Sequence, residues 1–450
     1  MALVRCSSLL LLLAIVGCAF ALRSNANAYE GTQVLSVDIT SQHQADALIA
    51  IVSRSEQENW RLRLWTDKPT VPGVWDLQVP REAIRQLAAA LRRMDIAYTV
   101  LHEDLGRDID ALMARNEEIQ ASAGASFFDS YASLAQMTTY LAQLTETYSM
   151  ASLVNIGTTI EGRNITGVTI CSTSNCESKP AIVFNGGQHA REWLSPMTVA
   201  YILNGLLSNY TTDSSVKEVV DAFEWTIIPI VNADGYVYTW TDDRMWRKNR
   251  RQNEGSPCYG VDTNRNWDYE WGGEGASPVA CTDTYYGTAG FSEPEETAVA
   301  NLITKNGRVQ FYIDFHMYGS LFMYPWGYTC DRTLASLPLR AYRALTHCAE
   351  YTQDATIQQS MADEYQTAVK AVNGVTFTTG PVCQTIYVAS GGSNDWTYGA
   401  ADAVYSYACE LRGSTFLEPA TEIIPSGQEQ FAGILAAAQF VMANPMPPSL

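Results

Sequence analysis

The stretch Asn185-Gly-Gly-Gln-His-Ala-Arg-Glu-Trp193 decides the fold and the chemistry expected of this chain. It follows the run Ala181-Ile-Val-Phe184, and an apolar, β-branched run that ends at glycines predicts a buried strand breaking into a loop. His189 and Glu192 stand three residues apart in that loop. Imidazole and carboxylate both bind zinc, and a catalytic zinc site typically takes three protein ligands and leaves one position to water. The loop supplies two ligands, unless it is an ordinary solvated loop.

The third ligand must come from elsewhere in the chain, which contains five histidines. Two of them, His43 and His102, fall in an N-terminal region that is interpreted below as removable. His347 lies in a predicted helix, where a place on the helix face explains it. His316 ends a second strand of the buried type, so it can stand beside the end of the first strand. The candidate set is His189, Glu192 and His316.

At this point the chain resembles the zinc carboxypeptidases of the pancreatic type, which carry an inhibitory pro-region. The resemblance extends from about Tyr29 to the C-terminus. In that family H-x-x-E is followed by a histidine a little over a hundred residues later, and His316 lies 124 positions after Glu192. The resemblance implies a secreted zymogen with one Zn²⁺ per chain, which removes C-terminal residues from peptide or protein substrates with a free C-terminus.

Two further segments match the family and also make chemical sense. The match assigns Arg247, in a segment rich in arginine, to the developing oxyanion; a solvated basic patch is the alternative. In Asp262-Thr-Asn-Arg-Asn-Trp267, Asn264 and Arg265 offer an amide and a forked cation, which suit a substrate carboxylate. Asp262 matches the carboxylate that accepts the spare N–H of the first zinc histidine.

The remaining site assignments also come from the resemblance. Tyr387 lies in a loop with paired glycines that resembles the family's mobile tyrosine loop, although ordinary packing beside a turn would explain it too. Glu410 ends another buried strand and matches the general base. Further substrate contacts are implied for Arg191, Tyr318 and Phe416.

Substrate preference depends on Asn394, which precedes Asp-Trp in the glycine loop. In the family an apolar residue there accompanies aromatic or aliphatic C-terminal residues, and an aspartate accompanies Lys or Arg. The neutral Asn394, with small or apolar residues at other matched positions (Met323, Gly327, Val382 and Ala389), favours neutral side chains. Asp314 lies on the same strand face as His316, so it either lines the pocket as a charge or accepts a hydrogen bond outside the metal site.

Two departures from the family pattern stand out. Met317 follows His316 where a serine is usual, which affects only a backbone contact upstream of the cleaved bond. The segment Glu410–Pro419 is about three residues shorter than expected, so the wall formed by Phe416 is expected to lie differently. Neither departure touches a zinc ligand or the base.

Composition agrees with an exported protein. The 450 residues are 47% hydrophobic and carry a formal net charge of −19, which argues against nucleic acid as a partner. The apolar run from Ser8 to Ala21 is too short to span a membrane and is typical of a signal peptide, cut after Ala21 or after Ala28. No other membrane segment is needed, and a monomer is expected. Asn164 and Asn209 are glycosylation acceptors on a secretory route.

The eight cysteines after the leader also favour export. By resemblance, Cys258 pairs with Cys281 and Cys330 with Cys383. A Cys171–Cys176 bond would close a short loop and leave Cys348 and Cys409 to pair or stay free. Metal binding by cysteine is disfavoured because no pair has C-x-x-C spacing.

The pattern of elements predicts two α/β domains joined by a connector. A signal peptide (1–21) precedes a small ferredoxin-like α/β pro-domain (22–104), a helical connector with the activation site (105–126) and a catalytic α/β/α sandwich with a mixed central sheet (127–450). An activating protease is expected to use Arg115 or the small residues Ala121–Ser126, since no Lys or Arg lies between Arg115 and Arg163. A catalytically dead binding protein would be expected to lack a ligand or the base, and a regulatory carboxypeptidase would carry a C-terminal β-domain.

Overall fold

A computed structural model describes residues 28–57, 62–65, 71–173, 175–330 and 352–446. These residues divide into two compact units. The first contains the chain up to Ala121 together with Tyr238–Arg244, and the second contains the rest from Ser122 onward. None of the helices in the described ranges is long and apolar enough to cross a membrane. The predicted signal peptide and the predicted helix Leu337–Tyr351 lie outside the described residues.

The first unit is a small α/β domain, as predicted. Its antiparallel sheet has the order β2-β3-β1-β4. The elements are β1 (Gln33–Ile39), α1 (Gln42–Gln57), β2 (Arg63–Leu64), β3 (Gly73–Val79), α2 (Ile84–Arg93), β4 (Tyr98–His102) and α3 (Leu105–Ala121). Leu87 and Leu91 of α2 bury their side chains in the same apolar core as Val37 and Trp75. The sequence pattern predicts a helix from Arg81 to Arg93, but α2 begins three residues later at Ile84, because Arg81–Ala83 form a turn after Pro80.

The second unit contains an eight-stranded mixed sheet with the order β11-β10-β12-β9-β7-β8-β6-β5. The strands are β5 (Ala151–Thr158), β6 (Asn164–Ile170), β7 (Ala181–Gly186), β8 (Glu224–Ile228), β9 (Val309–Met317), β10 (Leu321–Tyr324), β11 (Thr378–Pro381) and β12 (Tyr405–Leu411). The helices are α4 (Leu134–Thr147), α5 (Leu194–Ser208), α6 (Ser214–Ala222), α7 (Ala233–Thr241), α8 (Pro294–Asn306), α9 (Ala355–Asn373), α10 (Val382–Thr385), α11 (Ser393–Gly399) and α12 (Ile423–Ala443). The last four residues of α7, from Tyr238, are grouped with the first unit.

The two faces of this sheet carry different side chains because strand residues alternate. On one face Phe184 packs edge-on against Phe311 and Phe315, and helices α5, α6, α9 and α12 form the layer above. On the other face Val183 and Tyr312 share a core with residues of α8 and α11. The predicted α/β/α arrangement with a mixed central sheet is confirmed.

Strand direction determines where the polar residues gather. Strands β8, β7, β9 and β12 are mutually parallel, so the last three end together at Gly186, Met317 and Leu411. Open α/β sheets build their sites outside the carboxyl ends of parallel strands. The apolar run Trp225–Val231 predicts a buried strand, but β8 stops at Ile228, because Pro229 has no N–H to continue the ladder.

Three disulfides support the loops of the second unit. Cys258 bonds to Cys281 and Cys330 to Cys383, as the resemblance implied. Cys171 and Cys176 close a short loop. Among the described cysteines, Cys409 is buried and forms no disulfide, and Cys348 lies outside the described residues.

Candidate metal centre and active site

Three potential ligands converge at the carboxyl ends of β7 and β9. His189 and Glu192 lie in the loop after β7, and His316 is the penultimate residue of β9. His189 Nδ1 is 2.9 Å from Glu192 Oε1, and His316 Nδ1 is 3.1 Å from Glu192 Oε2 and 3.0 Å from His189 Nδ1. Ligand atoms of all three fall within 4.8 Å of one another, and all three residues are buried. The set fits a divalent metal with nitrogen and carboxylate ligands.

The electrostatics of this cluster keep Glu192 ionised. Burial alone would raise the pKa of Glu192, but the neighbouring charges of His189 and His316 and their hydrogen bonds lower it below its usual value. Burial would likewise lower the pKa of His316, whereas Asp314 and Glu192 raise it well above its ordinary value. The cluster therefore holds an ionised carboxylate between two imidazoles, the side chains that a divalent metal would need.

Asp262 connects the metal cluster to Arg247. Its Oδ1 lies 3.1 Å from His189 Nε2, and its Oδ2 accepts from Arg247 Nη2 at 2.9 Å and Nε at 3.2 Å. Burial would raise the pKa of Asp262, but Arg247 and His189 hold it well below its usual value. One ionised carboxylate thus orients both the imidazole and the guanidinium.

The amide and guanidinium predicted to hold a carboxylate lie next to the cluster. Asn264 Nδ2 is 3.2 Å from His316 Nε2, and its Oδ1 accepts from the Ser393 N–H at 2.9 Å. Arg265 is buried, and its Nε and Nη1 donate to the carbonyls of Gly275 and Asn264 at 3.0 and 2.8 Å. Its Nη2 lies 3.5 Å from the Tyr387 hydroxyl. The structure therefore brings these predicted residues together.

Glu410, Arg191, Tyr318 and Phe416 are the remaining residues predicted for the active site. Glu410 is aligned with His316 in the pairing of β12 with β9, so both side chains leave the same face of the sheet. Arg191 lies 4.3 Å from the centre of the Phe416 ring and donates to Asp283 Oδ2 at 3.2 Å. Tyr318 contacts Phe416 edge-on. Despite the short segment after Glu410, Phe416 still packs beside Arg191 and Tyr318.

Comparison with known proteins identifies this arrangement. Residues 137–433 match the family model described as zinc carboxypeptidase, and residues 35–111 match the carboxypeptidase activation peptide. The chain belongs to the zinc carboxypeptidase family. It is a hydrolase that acts on C-terminal peptide bonds and carries an activation-peptide domain.

Individual relatives agree over nearly the whole chain. A metallocarboxypeptidase A-like protein of Trichophyton verrucosum is 36% identical over 95% of this chain and 98% of its own length. Carboxypeptidase A2 of Rattus norvegicus is 32% identical over 93% of this chain and 95% of its own. Among solved structures, thrombin activatable fibrinolysis inhibitor aligns with a TM-score of 0.80 at 27% identity, covering 92% of this chain and all of its own. Carboxypeptidase A of Helicoverpa armigera aligns with a TM-score of 0.77 at 27% identity, over 93% and 99%.

In this carboxypeptidase, several residues predicted to line the pocket for the C-terminal side chain of the substrate are close to one another. Gly327 N–H donates to Asp395 Oδ1 at 2.8 Å, and the Gly327 carbonyl accepts from Ala389 N–H at 2.8 Å. A Cβ placed on Gly327 would lie 3.2 Å from Val382. Met323, Val382 and Ala408 form a buried apolar cluster, packed by Leu321 and Ile386. Buried Asn394 directly precedes Asp395 and is tied to β12 through the Ser406 hydroxyl, which donates to its carbonyl.

Three polar residues near the metal cluster were not singled out from the sequence. Asn185, Gln188 and Ser393 all donate hydrogen bonds to the carboxylate of Asp314. Gln188 stands beside His189, and Ser393 follows the paired glycines, but neither residue type by itself indicates a site. Only the pairing of β7 with β9 and the position of α11 bring them together.

A cluster of buried carboxyl groups supports the segments that carry Arg247 and Asp262. Asn249 donates to Glu293 at 2.7 Å and to Glu295 at 3.2 Å, and its amide oxygen accepts from Val261 N–H at 2.8 Å. Glu296 is fully buried, and neither of its carboxyl oxygens has a hydrogen-bond partner among the described residues. Burial, together with the negative charges of nearby carboxylates, raises the pKa of Glu295 to about 7. The same two causes raise the pKa of Glu296 well above its usual value.

This cluster predicts a stability that falls as the pH rises. Folding raises the pKa of such a carboxyl group, so the group favours the folded state most while it is protonated. This contribution to the free energy of unfolding is complete when the pH is below the pKa of the group in the unfolded chain. It is lost as the pH rises through the pKa of the group in the folded protein. We expect the melting temperature of the catalytic unit to decline from pH 5 towards pH 8. Glu296→Gln should reduce the decline, with each 1 kcal/mol regained raising the melting temperature by about 2 °C. Calorimetry from pH 5 to pH 8 tests this prediction, and Glu254→Gln, at an exposed position, is the matched control. If the melting temperature of Glu296→Gln falls with pH as steeply as that of the wild type, the prediction is contradicted.

Proposed function

We propose that this carboxypeptidase is a secreted zinc-dependent zymogen that prefers neutral hydrophobic or aromatic C-terminal residues. The observation that supports it most is the convergence of His189, Glu192 and His316 beside the buried guanidinium of Arg265. A metal site next to a carboxylate-binding group suits hydrolysis of the last peptide bond of a chain.

One Zn²⁺ per chain is proposed to bind His189, Glu192 and His316. When bound, zinc would act as a Lewis acid and would lower the pKa of its water to about 7. Glu410 accepts the proton of the attacking water and passes it to the leaving amine. Arg247, held by Asp262, faces the oxyanion that develops from the peptide carbonyl.

Recognition of the chain end is assigned to the group around Arg265. Its guanidinium and the amide of Asn264 hold the terminal carboxylate, because a planar fork can donate to both oxygens. The Tyr387 hydroxyl, 3.5 Å from Arg265 Nη2, covers the same carboxylate. Arg191 is an outlying contact, and Tyr318 and Phe416 form a wall for the upstream residues of the substrate.

Preference for a neutral side chain is proposed from the pocket lining. Asn394 is uncharged, and Met323 and Val382, at other positions matched to the pocket, belong with Ala408 to a buried apolar cluster. A Lys or Arg side chain buried here would lack a partner, at a cost of several kcal/mol. Asp314 does not supply that partner, since its oxygens already accept hydrogen bonds from neighbouring side chains.

A panel of blocked dipeptides tests this function. After activation, we expect substrates that end in Phe or Leu to be hydrolysed with a kcat/KM at least about tenfold above substrates that end in Lys or Glu, because a tenfold ratio needs only 1.4 kcal/mol. A zinc chelator should abolish activity and added Zn²⁺ should restore it. A tenfold preference for Lys would reverse the proposed specificity, and activity that survives chelation would refute the zinc assignment.

The N-terminal unit is proposed to inhibit the enzyme until it is cut away. Residues 22–104 would form the pro-domain, 105–126 the connector with its activation site and 127–450 the enzyme. Ala121–Ser126, from the last residue of α3 onward, are all exposed. Arg115, by contrast, lies inside α3 and pairs with Glu118 at 2.5 Å. A protease needs locally extended backbone, so an activating enzyme that cuts beside small residues is favoured over one that needs Arg115.

We expect the full chain to be nearly inactive and the active form to begin between Asn116 and Ser130. Limited digestion by a protease selective for small residues should release activity, and Arg115→Gln should not prevent it. N-terminal sequencing of the active product makes the test. An active product that begins at Tyr29 would refute the zymogen assignment. Activation by a trypsin-like protease that is lost in Arg115→Gln, with no activation by the protease selective for small residues, would move the cut to Arg115.

Secretion is proposed from three features. The N-terminal run ending at Ala21 has the composition of a signal peptide. Three disulfides are typical of an oxidising compartment. Asn164 is exposed within an N-x-T motif, which suits glycosylation on that route, as does the motif at Asn209. A monomer without nucleic-acid or membrane partners is the proposed working form.

A further inference from the structure

Asp314 is a buried carboxylate that contacts the second metal histidine. It lies two residues before His316 on β9, so both side chains leave the same face of the sheet. Asp314 Oδ2 is 2.7 Å from His316 Nε2. The residue is completely buried, and a carboxylate in such a position must be satisfied by hydrogen bonds.

The neighbours of Asp314 hold its carboxylate in one orientation. Asn185 Nδ2 donates to Oδ1 at 2.7 Å, and Ser393 Oγ donates to Oδ2 at 2.7 Å. Gln188 Nε2 also donates to Oδ2. These donors come from β7, from the loop that bears His189 and from the start of α11. Three separate segments of the active site therefore fix this one carboxylate.

The two metal histidines have matching arrangements. His316 turns Nδ1 towards Glu192 and His189, and Nε2 towards Asp314. His189 turns Nδ1 towards Glu192, and Nε2 towards Asp262. A metal-bound imidazole usually donates its other N–H to a carboxylate, which fixes the tautomer and raises the basicity of the ligand.

We infer that Asp314 is a positioning residue of the metal centre, which accepts the Nε2–H of His316 and keeps Nδ1 directed at the metal. This inference rests on the proposed zinc site. Asn264 Nδ2, 3.2 Å from His316 Nε2, is then a van der Waals neighbour, because both nitrogens are donors in this tautomer. With its oxygens engaged, Asp314 does not serve as the counter-charge for a cationic substrate side chain.

Zinc affinity gives the first test. Asp314→Asn in the full chain should weaken zinc binding by about 10- to 100-fold, as measured by competition with a chromogenic chelator. Asp262→Asn, at the equivalent position beside His189, is the matched comparison and should weaken zinc binding to a similar degree. In the activated enzyme, Asp314→Asn should leave the ratio of kcat/KM for Phe- and Lys-terminated substrates unchanged. A pocket charge would instead alter that ratio and leave zinc affinity intact.

A measurement on the wild type keeps the inference testable if Asp314→Asn does not fold. In the zinc-loaded protein with ¹⁵N-labelled histidine, we expect exchange-protected ring Nε2–H signals from both His189 and His316. Absence of the His316 signal would overturn the inference, as would a folded Asp314→Asn variant with wild-type zinc affinity. Failure of the wild type to bind zinc would instead refute the proposed function itself.

Discussion

Replacing Glu410 by Gln is expected to lower kcat by about 100-fold or more, the contribution typical of a general base, while zinc remains bound. Gln has nearly the shape of Glu but cannot accept a proton from water at neutral pH. Glu410 is not among the three residues of the metal cluster, so the metal site should persist. Kinetics on a Phe-terminated substrate, with metal content measured on the same sample, make the comparison.

A matched control separates this effect from a general loss of charge. Glu422→Gln removes a carboxylate that pairs with Arg412 and lies outside the cluster, and it should keep wild-type kcat. A Glu410→Gln variant that holds zinc and turns over at the wild-type rate would exclude Glu410 as the base. Loss of zinc from that variant would show that Glu410 contributes to the metal site instead.

Arg265→Ala is expected to reduce kcat/KM by about 30-fold or more. Removing one partner of a buried, charge-paired hydrogen bond costs about 2–5 kcal/mol, and each 1.4 kcal/mol is a tenfold change. The unpaired group here would be the terminal carboxylate of the substrate. The effect should fall mainly on KM if the carboxylate is held equally in the ground and transition states. Steady-state kinetics with a Phe-terminated dipeptide measure it.

Arg265→Lys provides the control for this prediction. Lysine keeps the charge but not the planar fork, so it should recover only part of the loss. Unchanged kcat/KM in Arg265→Ala would contradict the assignment of Arg265 to the terminal carboxylate. A melting temperature for each variant shows whether the buried contacts of Arg265 with the carbonyls of Gly275 and Asn264 also support the fold.

The metal cluster could be predicted because its ligands lie where apolar runs stop. The strands that lead to His189 and His316 consist of buried residues, and such runs are visible in a sequence. The H-x-x-E spacing then marks the loop. Parallel pairing of β7 with β9, which the sequence pattern does not specify, places the ends side by side.

The edges of the sheet were harder to predict. Strand β5 is largely exposed, so no buried run marks it. Strands β10 and β11 have only four residues each and pair through tertiary contacts. The sequence pattern predicts the last helix from Gln428 to Met442, whereas α12 begins at Ile423, five residues earlier, because Pro425 is tolerated in a first helical turn.

The role of Asp314 could not be decided from the sequence because it depends on partners far along the chain. A period of two places it on the face of His316, and this holds for a pocket residue as well as for a hydrogen-bond acceptor. Asn185 and Ser393, which lie 129 and 79 residues away in sequence, occupy its oxygens. Their donation is visible only once the strands are paired and α11 is in place.

The central claim is that this chain removes residues only from a free C-terminus and needs zinc to do so. The most direct test compares two peptides of one sequence ending in Phe, one with a free carboxylate and one with a C-terminal amide, each incubated with the activated enzyme. Mass spectrometry should show stepwise loss of C-terminal residues from the free peptide alone, with no loss when zinc is chelated. Equal cleavage of the amidated peptide, or cleavage at internal bonds, would contradict the account.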